Sequence, residues 1–322
     1  RGPALAAQVA VDLDTYPVVL PYSSGTTGLP KGVVLSHRNL VVNVDQVQAM
    51  LDIRAGDSTV AFLPFFHIYG LNVLMNPFLA AGARIVTMPR FDLEAFLTHI
   101  QTHRPRHILV APPVAIALAK HPMVDKFDLS SIETLISAAA PLGVETAEAV
   151  GRRLRCRAVQ GYGMTELSPM SHCVPPGQVR PGSVGVATSN TDWKIADPDT
   201  GAALPNGEEG EVWVRGPQVM LGYLGNPEAT ARSLTPDGWL RTGDLGVADD
   251  EGYLFIRDRL KELIKVKGFQ VAPAEVEAEL LAHPDVADAA VIGVADDEAG
   301  EVPVAFVVPA PGVAFDESAV LA

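Results

Sequence analysis

Cysteine occurs only twice, at Cys156 and Cys173, too rarely for a disulfide framework or a tetrahedral zinc site. A reducing, cytoplasmic setting is the expectation that follows. Basic charge is also scarce: 24 Lys and Arg stand against 38 Asp and Glu, a net charge of −14, which argues against a general nucleic-acid binder. No charge-free apolar run reaches the roughly 18 residues of a membrane span. The opening stretch RGPALAAQVAVDLDTYP lacks an apolar core followed by a cleavage site, so no signal peptide is expected. There is no Gly-x-x-x-x-Gly-Lys-[Ser/Thr] loop, no His-Glu-x-x-His and no Gly-x-Ser-x-Gly elbow, which speaks against a P-loop NTPase, a zincin and a serine hydrolase. His99, His103 and His107 are spaced four apart, but Pro105 interrupts any helix that would place them on one metal-binding face. Internal repeats and low-complexity segments are missing as well.

What is present is a chain of 322 residues, 48% hydrophobic and 19% charged, able to bury a sizeable core and long enough for two or three domains. It starts at Arg1 rather than Met and stops at Ala322 within FDESAVLA, the pattern of an unfinished helix, so both ends are expected to be cut. Up to residue 176, β-branched runs alternate with helical stretches. VVL at 18–20, GVVLS at 32–36, ARIVTM at 83–88, HILVA at 107–111, TLISAA at 134–139 and AVQGY at 158–162 are expected strands. DLEAFLTHIQTH and GVETAEAVGRRL are expected helices, and Ser36 is placed to cap another starting near Asn39. The pattern predicts an α/β sheet covered by helices, with ligands at the carboxyl ends of its strands. Residues 177–257 change texture: WKIAD, EVWVRG and YLFIRD are separated by the turn-forming PDTG, PNGEEG and DDEG, which predicts a β-rich subdomain. Residues 258–322 form a third region of lopsided charge. Arg259, Lys261, Lys265 and Lys267 cluster at its start, whereas residues 271–322 hold 11 acids and no Lys or Arg. Taken alone, such a cluster reads as a solvated surface.

Three segments carry chemistry. Tyr22-Ser23-Ser24-Gly25-Thr26-Thr27-Gly28-Leu29-Pro30-Lys31-Gly32 gathers hydroxyls, glycines and a lysine between two strands. Glycines let backbone N–H groups approach an anion, hydroxyls donate to phosphate oxygens, and the lysine supplies a charge; the competing reading is an ordinary turn. Gly161-Tyr162-Gly163-Met164-Thr165-Glu166 fails as a dinucleotide fingerprint, because Glu166 stands where a third glycine belongs. An acid there suits a magnesium ligand facing a nucleotide, with Thr165 donating to phosphate and Tyr162 stacking on a base. Thr242-Gly243-Asp244 offers a carboxylate that could accept from a ribose diol, or could simply close a turn. His67, within Pro64-Phe65-Phe66-His67-Ile68-Tyr69-Gly70-Leu71-Asn72, reads on its own as a satisfied core histidine.

Taken in chain order, and with Asp-Arg-Leu-Lys-Glu-Leu-Ile-Lys-Val-Lys-Gly-Phe-Gln-Val-Ala-Pro-Ala-Glu after them, these segments resemble the adenylate-forming enzymes from about Leu20 to Val308. That group takes in acyl-CoA synthetases, luciferases and peptide-synthetase adenylation domains, and the likeness is strongest to the 4-coumarate–CoA ligases. The resemblance implies two half-reactions: a carboxylate attacks the α-phosphate of Mg-ATP, then the thiol of coenzyme A displaces AMP. It implies that Ser23, Ser24, Gly25, Thr26, Thr27 and Lys31 hold phosphates and that Tyr162, with Gln160 and Gly161 beside it, borders adenine. Thr165 would contact the α-phosphate and Glu166 would bind Mg2+. Asp244 and Arg259 would grip the ribose, while Lys261, Lys265 and Gln270 would contact AMP or its acyl conjugate. Arg90, Lys267 and Gly268 match coenzyme A contacts, and His67 becomes a residue beside the reacting carboxylate. Tyr69, Val73, Ala138, Gly161, Pro169 and Met170 would line an apolar acyl pocket with room for a flat ring. A cinnamate-like aryl acid is therefore expected, ahead of a medium-chain fatty acid, a luciferase-like activity or a non-catalytic nucleotide-binding remnant. No acid in Phe66–Asn72 could pair the ammonium of an amino acid. Relatives continue to a further catalytic lysine that lies beyond this chain, so the 322 residues alone are expected to adenylate feebly.

Overall fold

The computed structural model describes residues 9–23, 30–267, 269–296, 299–310 and 312–313. Residues 314–322, the expected unfinished helix, lie outside the described residues. The centre is a five-stranded sheet. His107–Val110, Thr134–Ser137 and Arg157–Gly163 run parallel, with His107 opposite Thr134 and Thr134 opposite Arg157. Met170–Cys173 and Val186–Ala187 continue it antiparallel. The first two strands are buried along their whole length, as parallel strands covered on both faces are, with Ile108-Leu109-Val110 and Leu135-Ile136 as their apolar centres. Helices Pro112–Lys120 and Val144–Leu154 make the crossovers, and Val114, Ala115, Leu118, Val150 and Leu154 pack with Ile108, Val110 and Leu135 in one core cluster. A smaller parallel pair, Ser58–Ala61 with Arg84–Thr87, lies beside it.

The helix after the phosphate-type loop begins at His37, two residues earlier than expected, and runs to Leu51. The reason is the cap itself. Ser36 Oγ accepts from the Asn39 N–H at 3.2 Å, while Asn39 Oδ1 accepts from the Ser36 N–H at 2.8 Å. The capped amide belongs to the third helical residue, not the first. The Leu93–His103 helix ends at Arg104, whose φ is 49°, so His107 lies in the next strand, away from the stacked rings of His99 and His103.

Strands Asp192–Ala196, Glu209–Arg215, Leu240–Ala248 and Leu254–Arg259 form an antiparallel sheet in that order. The same stretch of chain lends Gly222–Tyr223 to the edge of strand Lys31–Ser36, so the β-rich part is stitched to the first loop. The last section has strands Ile264–Val266 and Phe269–Val271, helix Pro273–Ala282, and a long hairpin of Val286–Asp296 with Gly300–Pro309. Asp258 joins it to the preceding sheet, its buried carboxylate accepting from the Arg259 N–H (2.6 Å) and the Ala274 N–H (3.2 Å). Lys120 Nζ donates to the carbonyls of Leu281 (3.2 Å) and Val286 (3.4 Å). Among the described residues, no helix is long and apolar enough to cross a membrane.

Candidate active site

Strand Arg157–Gly163 delivers its carboxyl end to the site, and the chain then turns sharply. Gly163 is required there, because a Cβ would lie 2.0 Å from the Pro169 carbonyl oxygen. The turn is one helical loop, Thr165–Leu167, in which Thr165 and Glu166 are both buried. Glu166 Oε1 accepts a 2.8 Å hydrogen bond from the Tyr223 hydroxyl. A single buried carboxylate would fit magnesium if a nucleotide lay before it, since that ion is commonly held by one or two protein carboxylates plus substrate phosphates. Among the described residues no cluster of three or more metal-ligating side chains offers a cage of its own.

Tyr162, on the same strand, donates its hydroxyl to Asp244 Oδ2 at 2.6 Å. Arg259 stands directly opposite Asp244 on the neighbouring strand and brings Nε to 3.4 Å from Oδ1. Burial pushes the Asp244 carboxyl up to about 6, against the opposing pull of the Tyr162 hydrogen bond and the Arg259 charge. The turn before it is held by a residue that the sequence did not single out. Glu211 is buried, and its carboxylate accepts from the Gly243 N–H (2.9 Å) and from Trp213 Nε1 (2.7 Å). Gly243 has φ 75°, a conformation suited to glycine. Alternation in EVWVRG is the signal that could have placed Glu211 on the strand, though not its partner 32 residues away.

The phosphate-type loop is framed by Tyr22–Ser23 pairing with Gly32 and Lys31. Ser24, Gly25, Thr26 and Thr27 lie outside the described residues. Among the described residues Ser23 Oγ is buried without a hydrogen-bond partner, an orphan that a bound anion would satisfy. Lys31 reaches over the Tyr223 ring, Nζ 4.8 Å from its centroid. Gln160 is buried and spends its Oε1 on the Leu142 N–H at 2.8 Å, steadying the loop after strand Thr134–Ser137.

His67 precedes the helical segment Gly70–Met75 and is exposed. Its Nδ1 accepts from the Tyr69 N–H at 3.2 Å, which leaves Nε2 to donate, and partial desolvation holds its pKa below the usual imidazole value. Tyr69, Val73, Met170 and Ala138 come together in one apolar cluster with Ile136, and Gly161 faces Ile136, its Cβ position 3.9 Å from that side chain. The Tyr69 hydroxyl sits between the carbonyls of Ile136 (3.2 Å) and Val110 (3.3 Å), so it serves the strand ends. Pro169 follows Ser168, whose carbonyl accepts from Asn72 Nδ2 at 2.6 Å.

Other expected contacts are spread along the chain. Arg90 is exposed after strand Arg84–Thr87. Lys261 and Lys265 are exposed beyond Arg259, and Lys265 is paired with Gln270 across two short strands. Lys267 adopts φ 50° and donates its N–H to the Ala299 carbonyl at 2.7 Å. Gly268 and the Gln270 side chain lie outside the described residues. Two cavities, about 300 and 240 Å³, open elsewhere: the first at the amino ends of the parallel strands, around His107, Thr134 and Arg157, and the second along helix Val144–Leu154.

A buried Thr-Glu turn and a buried ribose-type aspartate are thus gathered at the carboxyl end of one strand. Residues 6–224 match the family described as AMP-binding enzyme, and residues 275–322 match the AMP-binding enzyme C-terminal domain. The chain belongs to the AMP-binding enzyme family. A 4-coumarate–CoA ligase 1 of Solanum tuberosum is 50% identical over 313 residues, 94% of this chain and 57% of that relative. The chain therefore spans little more than half the length of the curated relatives it matches. ATP-bound MatB from Rhodopseudomonas palustris superposes with a TM-score of 0.91 at 34% identity, covering 98% of this chain and 62% of that one. The anthranilate CoA ligase AuaEII in complex with anthranoyl-AMP gives a TM-score of 0.87 at 30% identity, covering 94% and 58%. The α/β sheet with its β-rich continuation and small α+β section is accordingly the architecture of adenylate-forming enzymes.

Proposed function

We propose that the protein is a cytoplasmic, AMP-forming acid–CoA ligase acting on a cinnamate- or 4-coumarate-like aryl acid. The observation that carries this reading is the pair of buried carboxylates, Glu166 and Asp244, each held by a tyrosine hydroxyl where the family's nucleotide motifs fall. In this reading Asp244 accepts from the ribose diol with Arg259 beside it, and Tyr162 borders the adenine. Thr165 donates to the α-phosphate, and Ser23, Lys31 and residues 24–27 hold the remaining phosphates. Magnesium at Glu166 would neutralise phosphate charge during displacement.

The acid enters above the cluster of Tyr69, Val73, Ala138, Gly161, Pro169 and Met170. His67, neutral and with its proton on Nε2, donates to one carboxylate oxygen and leaves the other free to attack the α-phosphorus. The P–O bond to pyrophosphate breaks as the acyl–phosphate bond forms. Lys261, Lys265 and Gln270 follow the charge on the acyl-adenylate. Coenzyme A, met by Arg90, Lys267 and Gly268, then attacks the acyl carbon through its sulfur, and AMP leaves with the C–O electron pair. The chain divides in this reading into part of a large α/β domain (1–176), a β-rich subdomain (177–257) and part of a mobile lid (258–322).

Pyrophosphate release by the full-length protein with cinnamate, 4-coumarate, benzoate and octanoate tests the proposal. Release with the aryl acids and coenzyme A-dependent thioester formation are expected. Release with octanoate alone would overturn the aryl assignment, and silence with every acid would overturn the ligase.

A further inference from the structure

We infer that Tyr223 is the positioning residue of the metal–phosphate end of the site: its hydroxyl orients Glu166 as a cation ligand, and its ring keeps Lys31 from pairing with that carboxylate. The inference rests on reading the site as one for a metal-bound nucleotide.

The placement follows from strand register. Tyr223 lies opposite Val33 on the edge of strand Lys31–Ser36. Side chains two residues apart share a strand face, so Lys31 is the diagonal neighbour of Tyr223, within reach of a long side chain. Its Nζ lies 4.8 Å from the ring centroid, inside the range of a cation–π contact. The far end of the same ring meets Glu166 Oε1 at 2.8 Å.

The backbone on both sides fixes this geometry. The pairing is extended by Leu221 N–H to the Val34 carbonyl (2.9 Å) and Leu224 N–H to the Gly32 carbonyl (2.8 Å). The Tyr223 N–H donates to Thr230 Oγ1 at 2.9 Å. Gly222, with φ 147°, packs so closely on Thr230 that a Cβ would lie 2.9 Å from its methyl group. Met220 N–H donates to the Glu166 carbonyl at 2.9 Å, lacing the tyrosine's segment to the Thr165–Leu167 turn.

A carboxylate only 4% exposed needs a partner, and a nearby lysine is the obvious one. Direct pairing would cancel the two charges that a polyphosphate and its cation require. Here the phenol supplies the hydrogen bond instead. The hydroxyl donates to Glu166 Oε1 while the ring face is left to Lys31. Lys31 keeps its charge for a phosphate, and Glu166 keeps its own for a cation.

The test is calorimetric titration of ATP with and without Mn2+, and of AMP without metal. Tyr223→Phe keeps the ring under Lys31 and removes only the hydroxyl. Loss of an outer-shell partner to a metal ligand costs on the order of tenfold or more in metal affinity. The ratio of ATP affinities with and without Mn2+ is therefore expected to fall about tenfold, while AMP affinity holds. In a Glu166→Gln background the same change is expected to add nothing, since the coupling runs through that carboxylate. Thr230→Val, which frees the Tyr223 N–H, is expected to shift the ratio the same way by a smaller factor, and it carries the test if Tyr223→Phe folds poorly. An unchanged ratio, or a parallel loss of AMP binding, would overturn the role of Tyr223 while leaving the nucleotide site standing. A parent protein whose ATP affinity ignores Mn2+ would overturn the metal-nucleotide reading, and Tyr223's role with it.

Discussion

The site contains two tyrosine–carboxylate pairs that look alike and are wired differently. At one end, Tyr162 donates to Asp244 and Arg259 approaches the same carboxylate directly, Nε to Oδ1 at 3.4 Å. At the other, Tyr223 donates to Glu166 and the cation, Lys31, sits on the ring face rather than on the acid. The first arrangement brings two donors to one carboxylate, which suits the proposed ribose diol as a neutral ligand in need of an acceptor. The second holds a positive and a negative group apart, as befits a ligand that is itself a polyanion carrying a cation. The difference is one of geometry: Arg259 is directly across the ladder from its acid, whereas Lys31 lies over the face of a tyrosine whose hydroxyl meets Glu166.

Removing each carboxylate should separate the two ends most sharply. In the proposed reading Asp244→Ala takes away the acceptor for the ribose hydroxyls; two hydrogen bonds to a charged group total about 3 kcal/mol at the low end, or roughly 100-fold in affinity. AMP and ATP should suffer alike, with or without metal. Glu166→Gln should leave AMP affinity within about twofold and abolish only the gain that Mn2+ brings to ATP. Calorimetry on both variants checks this, and equal loss of AMP binding in the two would break the comparison.

Protonation offers a finer cut, because burial lifts the Asp244 carboxyl from 3.8 to about 6. A carboxyl raised on folding binds more protons in the native state, so its contribution to stability is present at low pH and is lost as pH rises toward and through about 6. From this group alone the loss between pH 5 and pH 7 is on the order of 1 kcal/mol. Asp244→Asn should remove that slope in denaturant titrations. Nucleotide binding runs the other way, since only the ionised form accepts both hydroxyls. AMP affinity should fall about fivefold from pH 6 to pH 5 as the competent fraction shrinks. Tyr162→Phe removes a hydrogen bond that holds the carboxyl down and should move this limb up by about one pH unit. Tyr223→Phe should not move it at all. A limb that stays put in Tyr162→Phe would show that the phenol does not govern Asp244.

The two pairs also differ in how far the sequence discloses them. Tyr162, Thr165 and Glu166 occur within five consecutive residues on a strand end and turn, and Asp244 sits in a glycine turn, so local chemistry exposes them. The parallel strands were legible for a similar reason: buried runs such as HILV and TLIS are unbroken. Tyr223 has no such local mark. Its partner is 57 residues away, and a Gly-Tyr in a two-residue edge strand says nothing of a carboxylate across the site. Glu211 was hidden in the same way, an acid on a strand that looks solvent-facing until its two hydrogen bonds are seen. The start of the His37–Leu51 helix was misplaced because a cap's hydrogen bond falls on the third residue of the helix. Contiguous motifs announce which groups meet a ligand. The residues that hold those groups in place come from elsewhere in the chain and become visible only through register.

The smallest effect should come from the cation of the first pair. The Arg259 side chain is 52% exposed, and its approach to Asp244 at 3.4 Å is single rather than bidentate. Pairs of this kind are worth about 0.2–1 kcal/mol once screened by solvent. Arg259 lowers the Asp244 pKa, but less than the Tyr162 hydrogen bond does. Arg259→Gln should therefore raise the midpoint of the AMP-binding limb by well under the pH unit expected for Tyr162→Phe, and high salt should reproduce part of that shift in the parent. The order Tyr162 above Arg259 follows from one contact being buried and short and the other being open to water. A larger shift in Arg259→Gln than in Tyr162→Phe would reverse it, and would mean that the ribose end depends on charge rather than on the phenol.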